Sequence, residues 1–391
     1  MKPNSSKSII IEIMTDFARL TGLSPAEEAP RRYLWTDAFA VCNFLELYRQ
    51  TNDETYKQLA LSLVDQVHTI LGRHRKDDSR IGWISGLGDD EGKKHPTQGG
   101  LRIGKKMKER GPSEPFDEER EWDRDGQYYH YLTKWMHALN CVSRVTGDVA
   151  YNRWAIELAK TVHTRFTHVP PFSRQKRMYW KMSIDLSYPL VPSMGQQDPL
   201  DGFITYHQLQ ATAANDPEKA FGPDLKTEIA EMAGICEGKS WVTDDPLGIG
   251  GLLCDAYRAV YLAVNKNFKK TDLIELVLED SLAGLEAYAR NVPWKRKADY
   301  RLAFRELGFS TGLRAVEKVP GLIEEHKSIF KQYHKCNSII DELMRYLPLA
   351  KTIETFWLEP LNRKNNLWEE HGYINMVMLA TSLAPDGFLP V

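Results

Sequence analysis

The sequence predicts an all-α fold, a closed ring of six helical hairpins. It does so on three grounds: an internal repeat, apolar segments with a helical period, and sparse strand signals. The repeat carries the most weight. Shifting the chain by 95 residues lays RQTNDETYKQLALSLVDQVHT on RVTGDVAYNRWAIELAKTVHT. Arg49, Thr51, Asp53, Tyr56, Ala60, Leu63, Val67, His68 and Thr69 then fall on Arg144, Thr146, Asp148, Tyr151, Ala155, Leu158, Val162, His163 and Thr164. Matched apolar positions recur at three- and four-residue spacing, the period of a helix face. Each block follows a TND or TGD turn whose aspartate can cap the next helix. The repeating unit is a helix, a tight turn and a second helix.

Weaker copies run to the C-terminus. First helices are expected at about 35–50, 127–145, 201–214, 247–264, 299–316 and 368–384, and second helices at about 54–73, 149–167, 224–240, 271–290 and 333–350. A sixth second helix is missing at the C-terminal end, and an unpaired helix at about 5–20 stands at the N-terminal end to complete it. The first helices, such as LGIGGLLCDAYRAVYLAV, are apolar nearly all round, as a helix enclosed by others must be. The second helices, such as DLIELVLEDSLAGLEAYAR, are amphipathic. Strand is confined to inserts, where SRIGWISG and GGLRIGK are expected to pair as a short hairpin.

Composition narrows the class. The 391 residues are 42% apolar and 27% charged, enough to build a large core without disorder. Lysine plus arginine number 51 and aspartate plus glutamate 53, a net charge of −2. That balance excludes nucleic acid as the main partner, since phosphate binding needs a basic excess. The short basic cluster Lys105, Lys106, Lys108 and Arg110 reads as solvated surface. Five widely spaced cysteines without a CxxC pair read as reduced core residues, so no metal is expected at them. The first residues lack a continuous apolar stretch and no run of 18 apolar residues occurs, so a cytoplasmic, non-membrane protein is expected.

Connection lengths point to a working face. Links from first to second helix are minimal, whereas the segments before Gln127 and Asp201, about 75–126 and 169–200, are long. Both inserts lead to the N-termini of first helices, where helix dipoles favour carboxylates and anionic ligands. A single domain over 1–391 with these inserts covering a central funnel follows.

This architecture resembles the six-hairpin (α/α)6 toroid shared by many glycoside hydrolases, unsaturated uronyl hydrolases and N-acyl-sugar epimerases. The resemblance spans almost the whole chain and lies in architecture rather than in a signature motif. It implies a carbohydrate-type funnel. Segments such as LWTDAF, DRDGQYYHYLTKWMHALN and WEEHGYINMVMLATSLAP fit an uncharacterised branch of that superfamily.

Site candidates follow from chemistry on that rim. Acids recur at first-helix starts: Asp37, Asp123, Asp125, Asp198, Asp201, Asp244, Asp245, Glu369 and Glu370. Capping explains any one of them, but paired carboxylates are also what glycosidic bond hydrolysis needs, one as acid and one as base. Asp125 and Asp201 each precede a glycine and follow a long insert, so Asp125 is assigned as general acid and Asp201 as base. Trp35, Trp122, Trp180 and Trp368, with Tyr128, are expected to form a flat apolar sugar platform. Asp37, Arg102, His130, Lys181, Gln197, His207, Glu369 and His371 are expected to contact substrate. His207 and His371 carry a second reading, a sugar epimerase that moves a proton α to a carbonyl. A third is a toroid that binds a ligand or protein without catalysis. His68 and His163 occupy equivalent second-helix positions and read as structural.

Three motifs fail. Gly99 to Lys106 matches GxxxxGK, but Lys106 stands where serine or threonine should bind magnesium. GIGGLL lacks the third glycine of a dinucleotide fingerprint, so helix packing explains it better. DRDG, at Asp123 to Gly126, begins like a calcium loop but has Lys134 at position twelve. The ligand expected is a small molecule or oligosaccharide, with no cofactor.

Overall fold

The helical period is realised throughout. In a computed structural model describing residues 3–173, 175–214, 224–266, 268–330 and 332–389, the chain is all-α and built largely from helical hairpins. It divides into two compact units, residues 18–237 and residues 1–17 with 238–391.

The hairpins of the 18–237 unit are α2 (Leu34–Thr51) with α3 (Glu54–Leu71), α6 (Tyr129–Thr146) with α7 (Val149–Phe166), and α8 (Asp198–Ala213) with α9 (Lys226–Cys236). Short α4 (Asp89–Lys94) and α5 (Glu118–Asp123) lie in the first insert. All four boundaries of the first hairpin recur 95 residues later in the second. Local chemistry repeats with them. Asn52 and Gly147 take the left-handed conformation that ends a helix, with φ of 56° and 76°. Asp53 accepts from Thr55 N–H and Asp148 from Ala150 N–H, each at 2.9 Å, so both aspartates cap the helices that follow.

The 1–17 and 238–391 unit contains α10 (Pro246–Lys266) with α11 (Thr271–Ala289), α12 (Ala303–Val316), α13 (Val319–Glu325), α14 (Tyr333–Met344), α15 (Pro348–Leu358), α16 (Asn366–Glu370) and α17 (Gly372–Leu383). Helix α1 (Pro3–Leu20) belongs to it as far as Phe17, so the unpaired N-terminal helix groups with the C-terminal hairpins. The second helix expected at 333–350 is two helices, because Pro348 cannot continue the first. The glycines of GIGGLL do pack helices. A Cβ on Gly250 would lie 2.3 Å from Gly308 O, so α10 and α12 approach at a distance only glycine permits. Helix α10 is long and apolar enough to cross a membrane, and 72% of its most apolar stretch is buried within the fold.

Among the described residues, strand is confined to five short segments. β1 (Gln127–Tyr128), β4 (Lys181–Met182) and β5 (Pro189–Val191) form an antiparallel sheet in the order β1-β4-β5. β2 (Thr167–His168) pairs with β3 (Arg177–Met178). The expected hairpin of SRIGWISG with GGLRIGK does not form. Gly82, Gly86, Gly100 and Gly104 all have positive φ, so both segments turn instead of extending. Their backbone donors go elsewhere: Leu101 N–H to the Gln127 side chain, Arg102 N–H to Leu71 O and Ile103 N–H to Gly126 O.

Candidate functional site

Within the 18–237 unit, the sheet and the first turns of α6 and α8 assemble one aromatic and acidic site. Gln127 fixes its base: Oε1 accepts from Leu101 N–H at 2.8 Å, and Nε2 donates to Ile184 O at 2.6 Å. Gly126, at φ 146°, lets the chain pass where a Cβ would come 2.8 Å from Met182 O. Tyr129 N–H then donates to Trp180 O at 3.3 Å, joining the start of α6 to the segment before β4.

Aromatic rings continue from this junction. Trp122 meets Trp180 edge-on at 5.2 Å, Trp180 lies 5.4 Å from Tyr128, and Tyr128 lies 5.2 Å from Tyr131. Tyr131 in turn contacts Trp35 at 6.4 Å and Tyr33 at 5.6 Å. The Tyr33 and Tyr131 hydroxyls share a 2.6 Å hydrogen bond. Burial pushes the Tyr33 hydroxyl up to about 12 and Tyr131 well above the ordinary tyrosine range, so both stay protonated at neutral pH. Of the tryptophans in the wall, Trp122 is the most open at 48% exposure, Trp180 is half-buried and Trp35 is buried.

His130 stands within the wall, stacked on Trp180 at 6.2 Å with an interplanar angle of 19° and flanked by Tyr128 and Tyr131. Its Nδ1 faces Asp198 Oδ1 at 3.7 Å, and 30% of the side chain is exposed. Neither His130 Nδ1 nor Asp198 Oδ2 has a hydrogen-bond partner among the described residues, although both atoms are buried. One turn along each helix, Lys134 Nζ lies 2.9 Å from Asp201 Oδ1, and Thr133 donates to Asp201 Oδ2.

Several expected contact residues serve the scaffold instead. Asp125 has no exposed surface, and four donors fill its oxygens. Oδ1 accepts from Gly104 N–H at 2.9 Å and Gly126 N–H at 3.1 Å, and Oδ2 from Arg102 at 3.0 Å and Arg75 at 3.1 Å. Nothing is left to offer a glycosidic oxygen. Arg102 is spent likewise, its remaining nitrogens donating to Arg73 O and Ile70 O. Lys181 is fully buried, with Nζ held by Glu121 Oε1, Glu121 O and Arg124 O, all within 2.9 Å. Asp37 accepts from Tyr33 N–H at 2.9 Å and faces Arg32 at 3.5 Å; burial pushes its carboxyl up to about 6. Tyr128 is buried behind Trp180 and His130.

The other expected residues lie nearer the surface. Gln197 precedes α8 and accepts from Asp201 N–H through its carbonyl. His207 packs edge-on against Phe203 at 4.7 Å and is partly exposed. In the other unit, Trp368 stacks on buried Trp357 at 5.5 Å, Glu369 is exposed, and His371 contacts Phe304 at 5.3 Å. Sequence reasoning placed Asp198 on the rim but not as the partner of His130. His130 and Lys134, four apart on α6, face Asp198 and Asp201, three apart on α8, and that matched helical spacing is the signal that pairs them. It missed Glu121 and Arg75 altogether, since their partners lie 60 and 50 residues away. Among the described residues, the group of three metal-type ligands that closes together is Cys42, His137 and Cys141, and not the acids around Asp123.

No known family profile matches this chain, and no curated protein matches it. Solved structures similar to it include two epimerases. One is a sugar epimerase from a ruminal bacterium, at 9% identity over 87% of this chain and 86% of that one, with a TM-score of 0.45. The other is cellobiose 2-epimerase from Bacillus thermoamylovorans B4167, at 12% identity over 81% of this chain and 76% of that one, with a TM-score of 0.43.

Proposed function

We propose that this chain is a carbohydrate-active enzyme that moves a proton beside the carbonyl of an open-chain sugar. His130 is the base, Asp198 orients it, and Trp122 and Trp180 carry the sugar. The carrying observation is the partly exposed His130 ring, stacked on Trp180 and 3.7 Å from the Asp198 carboxylate. A carboxylate on one ring nitrogen sets the tautomer and leaves the other nitrogen free to accept a proton. Catalytic hydrogen bonds tighten when substrate binds, and a 3.7 Å separation is within reach of one.

The step conserves protons. His130 takes the proton from the carbon next to the aldehyde, and the electron pair left behind moves into an enediolate. Return of the proton from His130 to that carbon, after the enediolate has turned its other face to the ring, inverts it; return to the former aldehyde carbon, with the hydroxyl proton of the second carbon passing to the first oxygen, gives a ketose. Lys134 and the Tyr33–Tyr131 hydroxyl pair are assigned as donors to the enediolate oxygen. Hydrolysis by Asp125 and Asp201 has less support, because the four donors on Asp125 and the Lys134 and Thr133 contacts of Asp201 occupy the carboxylates that such chemistry needs free.

Product analysis on a panel of free aldoses and oligosaccharides tests the reading. The native chain is expected to give an epimer or ketose, and His130→Gln to lose at least about a hundredfold in rate. Release of new reducing ends instead would reinstate hydrolysis. Saccharide binding without any product would make the site a binding module.

A further inference from the structure

We propose that Cys42, His137 and Cys141 form a zinc site inside the 18–237 unit, two helical turns beyond His130 along α6. Their sulfur and imidazole nitrogen atoms all lie within 4.8 Å of one another, and all three residues are buried. Cys42 and His137 occupy equivalent places in the 95-residue repeat, so neighbouring inner helices present them at the same level. Cys141 follows His137 by four residues and shares its helix face.

The geometry fits a shared ion. Zinc–sulfur and zinc–nitrogen bonds of about 2.3 and 2.0 Å at a tetrahedral angle set the two ligand atoms about 3.5 Å apart. Cys141 Sγ lies 3.6 Å from His137 Nε2.

A chain of buried amides also points the imidazole correctly. Asn152 donates to Leu209 O at 3.1 Å, which turns its oxygen toward Asn140 Nδ2, 2.8 Å away. The Asn140 oxygen therefore accepts from Gln208 Nε2 at 2.7 Å, leaving Gln208 Oε1 to face His137 Nδ1 at 3.0 Å. An amide oxygen can only accept, so Nδ1 carries the hydrogen and the Nε2 lone pair faces the sulfurs. Metal-binding histidines are held this way by partners beyond the ligands themselves.

Charge selects the ion. Two thiolates and a neutral imidazole make a zinc site of zero net charge, and a buried site that is neutral avoids the cost of burying an unpaired ion. On binding, the two thiols release their protons to solvent and the imidazole releases none. Three protein ligands leave a fourth position for water.

The test uses the full chain, stripped with chelator and then given zinc or cobalt. The expected results are one zinc retained per chain after gel filtration, and a thiolate-to-cobalt charge-transfer band in the near ultraviolet. Cys42→Ser and Cys141→Ser should each abolish that band, while Cys254→Ser, in the other unit, keeps it. Gln208→Leu should weaken zinc binding about tenfold without removing a ligand. If a cysteine variant does not fold, alkylation of the native chain in urea that opens it decides. Zinc should protect Cys42 and Cys141 but not Cys254. A native chain that retains no zinc and shows no charge-transfer band overturns the proposal, as does unchanged binding by folded Cys141→Ser.

Discussion

Arg102 Nη1 stands 3.0 Å from Asp125 Oδ2, and the carboxylate it meets has no exposed surface. Arg75 reaches the same oxygen, so a pair of cations from the first insert closes on one anion at the entry to α6. Removing one partner of a buried ion pair strands the others. Asp125→Asn should therefore lower stability by about 3 kcal/mol in urea unfolding, whatever it does to catalysis. A variant as stable as the native chain but inactive would return Asp125 to the role of general acid.

His68 sets an acid limit. Burial pushes its imidazole down to about 3, and its Nε2 accepts from Trp135 Nε1 at 3.2 Å, a bond that a proton there would abolish. Because the folded value lies below the unfolded one of about 6.5, its contribution is complete above pH 6.5. It is lost as pH falls from 6.5 towards 3. Asp37 acts with the opposite sign. Its folded value of about 6 exceeds the unfolded one, so its contribution is complete below the unfolded value and is lost as pH rises through about 6. Urea titrations at several pH values should show His68→Asn abolishing part of the acid loss, and Asp37→Asn abolishing the loss on the alkaline side. Parallel profiles for native and variant chains would contradict both assignments.

The α10–α12 crossing has no room for a methyl group. A Cβ on Gly250 would meet Gly308 O at 2.3 Å, backbone that cannot rotate away. Gly250→Ala should cost about 2 kcal/mol and lower the melting temperature, despite alanine's better helix propensity. Thermal unfolding checks this, and a stabilised variant would show that the helices can separate freely.

Trp122 is the test of the sugar platform, since its ring is half in solvent and meets Trp180 edge-on at 5.2 Å. Trp122→Ala should leave stability within about 0.5 kcal/mol. Saccharide affinity should fall about tenfold, corresponding to about 1.4 kcal/mol. Thermal shift with and without sugar reads both quantities.

Much of this fold was legible in the sequence because its hairpins obey local rules. Asp53 and Asp148 cap the helices they precede, and the three- and four-residue apolar spacing locates the first helices of the hairpins. The breaks at Pro348 and His371, where α14 gives way to α15 and α16 to α17, were less visible because apolar residues continue across them. Within the candidate site, Trp122 and Trp180 stood out in the sequence by their place in the inserts, and His130 by sharing a helix face with His137. The roles of Asp125, Arg102 and Lys181 were not. A rim charge and a buried strut have the same one-letter signature, and only Glu121, Arg75 and Gly104, brought in by the folded insert, tell them apart. The zinc ligands were hidden because Cys42 lies on a different helix from His137 and Cys141. The 95-residue repeat that aligns Cys42 with His137 was the available clue.

The central claim is that His130 takes a proton from sugar carbon. Incubation of the native chain with free aldoses in deuterium oxide, followed by proton NMR, tests it directly. Deuterium should enter the position beside the carbonyl in step with formation of an epimer or ketose, and His130→Gln should show neither while still binding the sugar. Continued exchange in folded His130→Gln, or turnover of sugar by the native chain with no deuterium at that carbon, would contradict it.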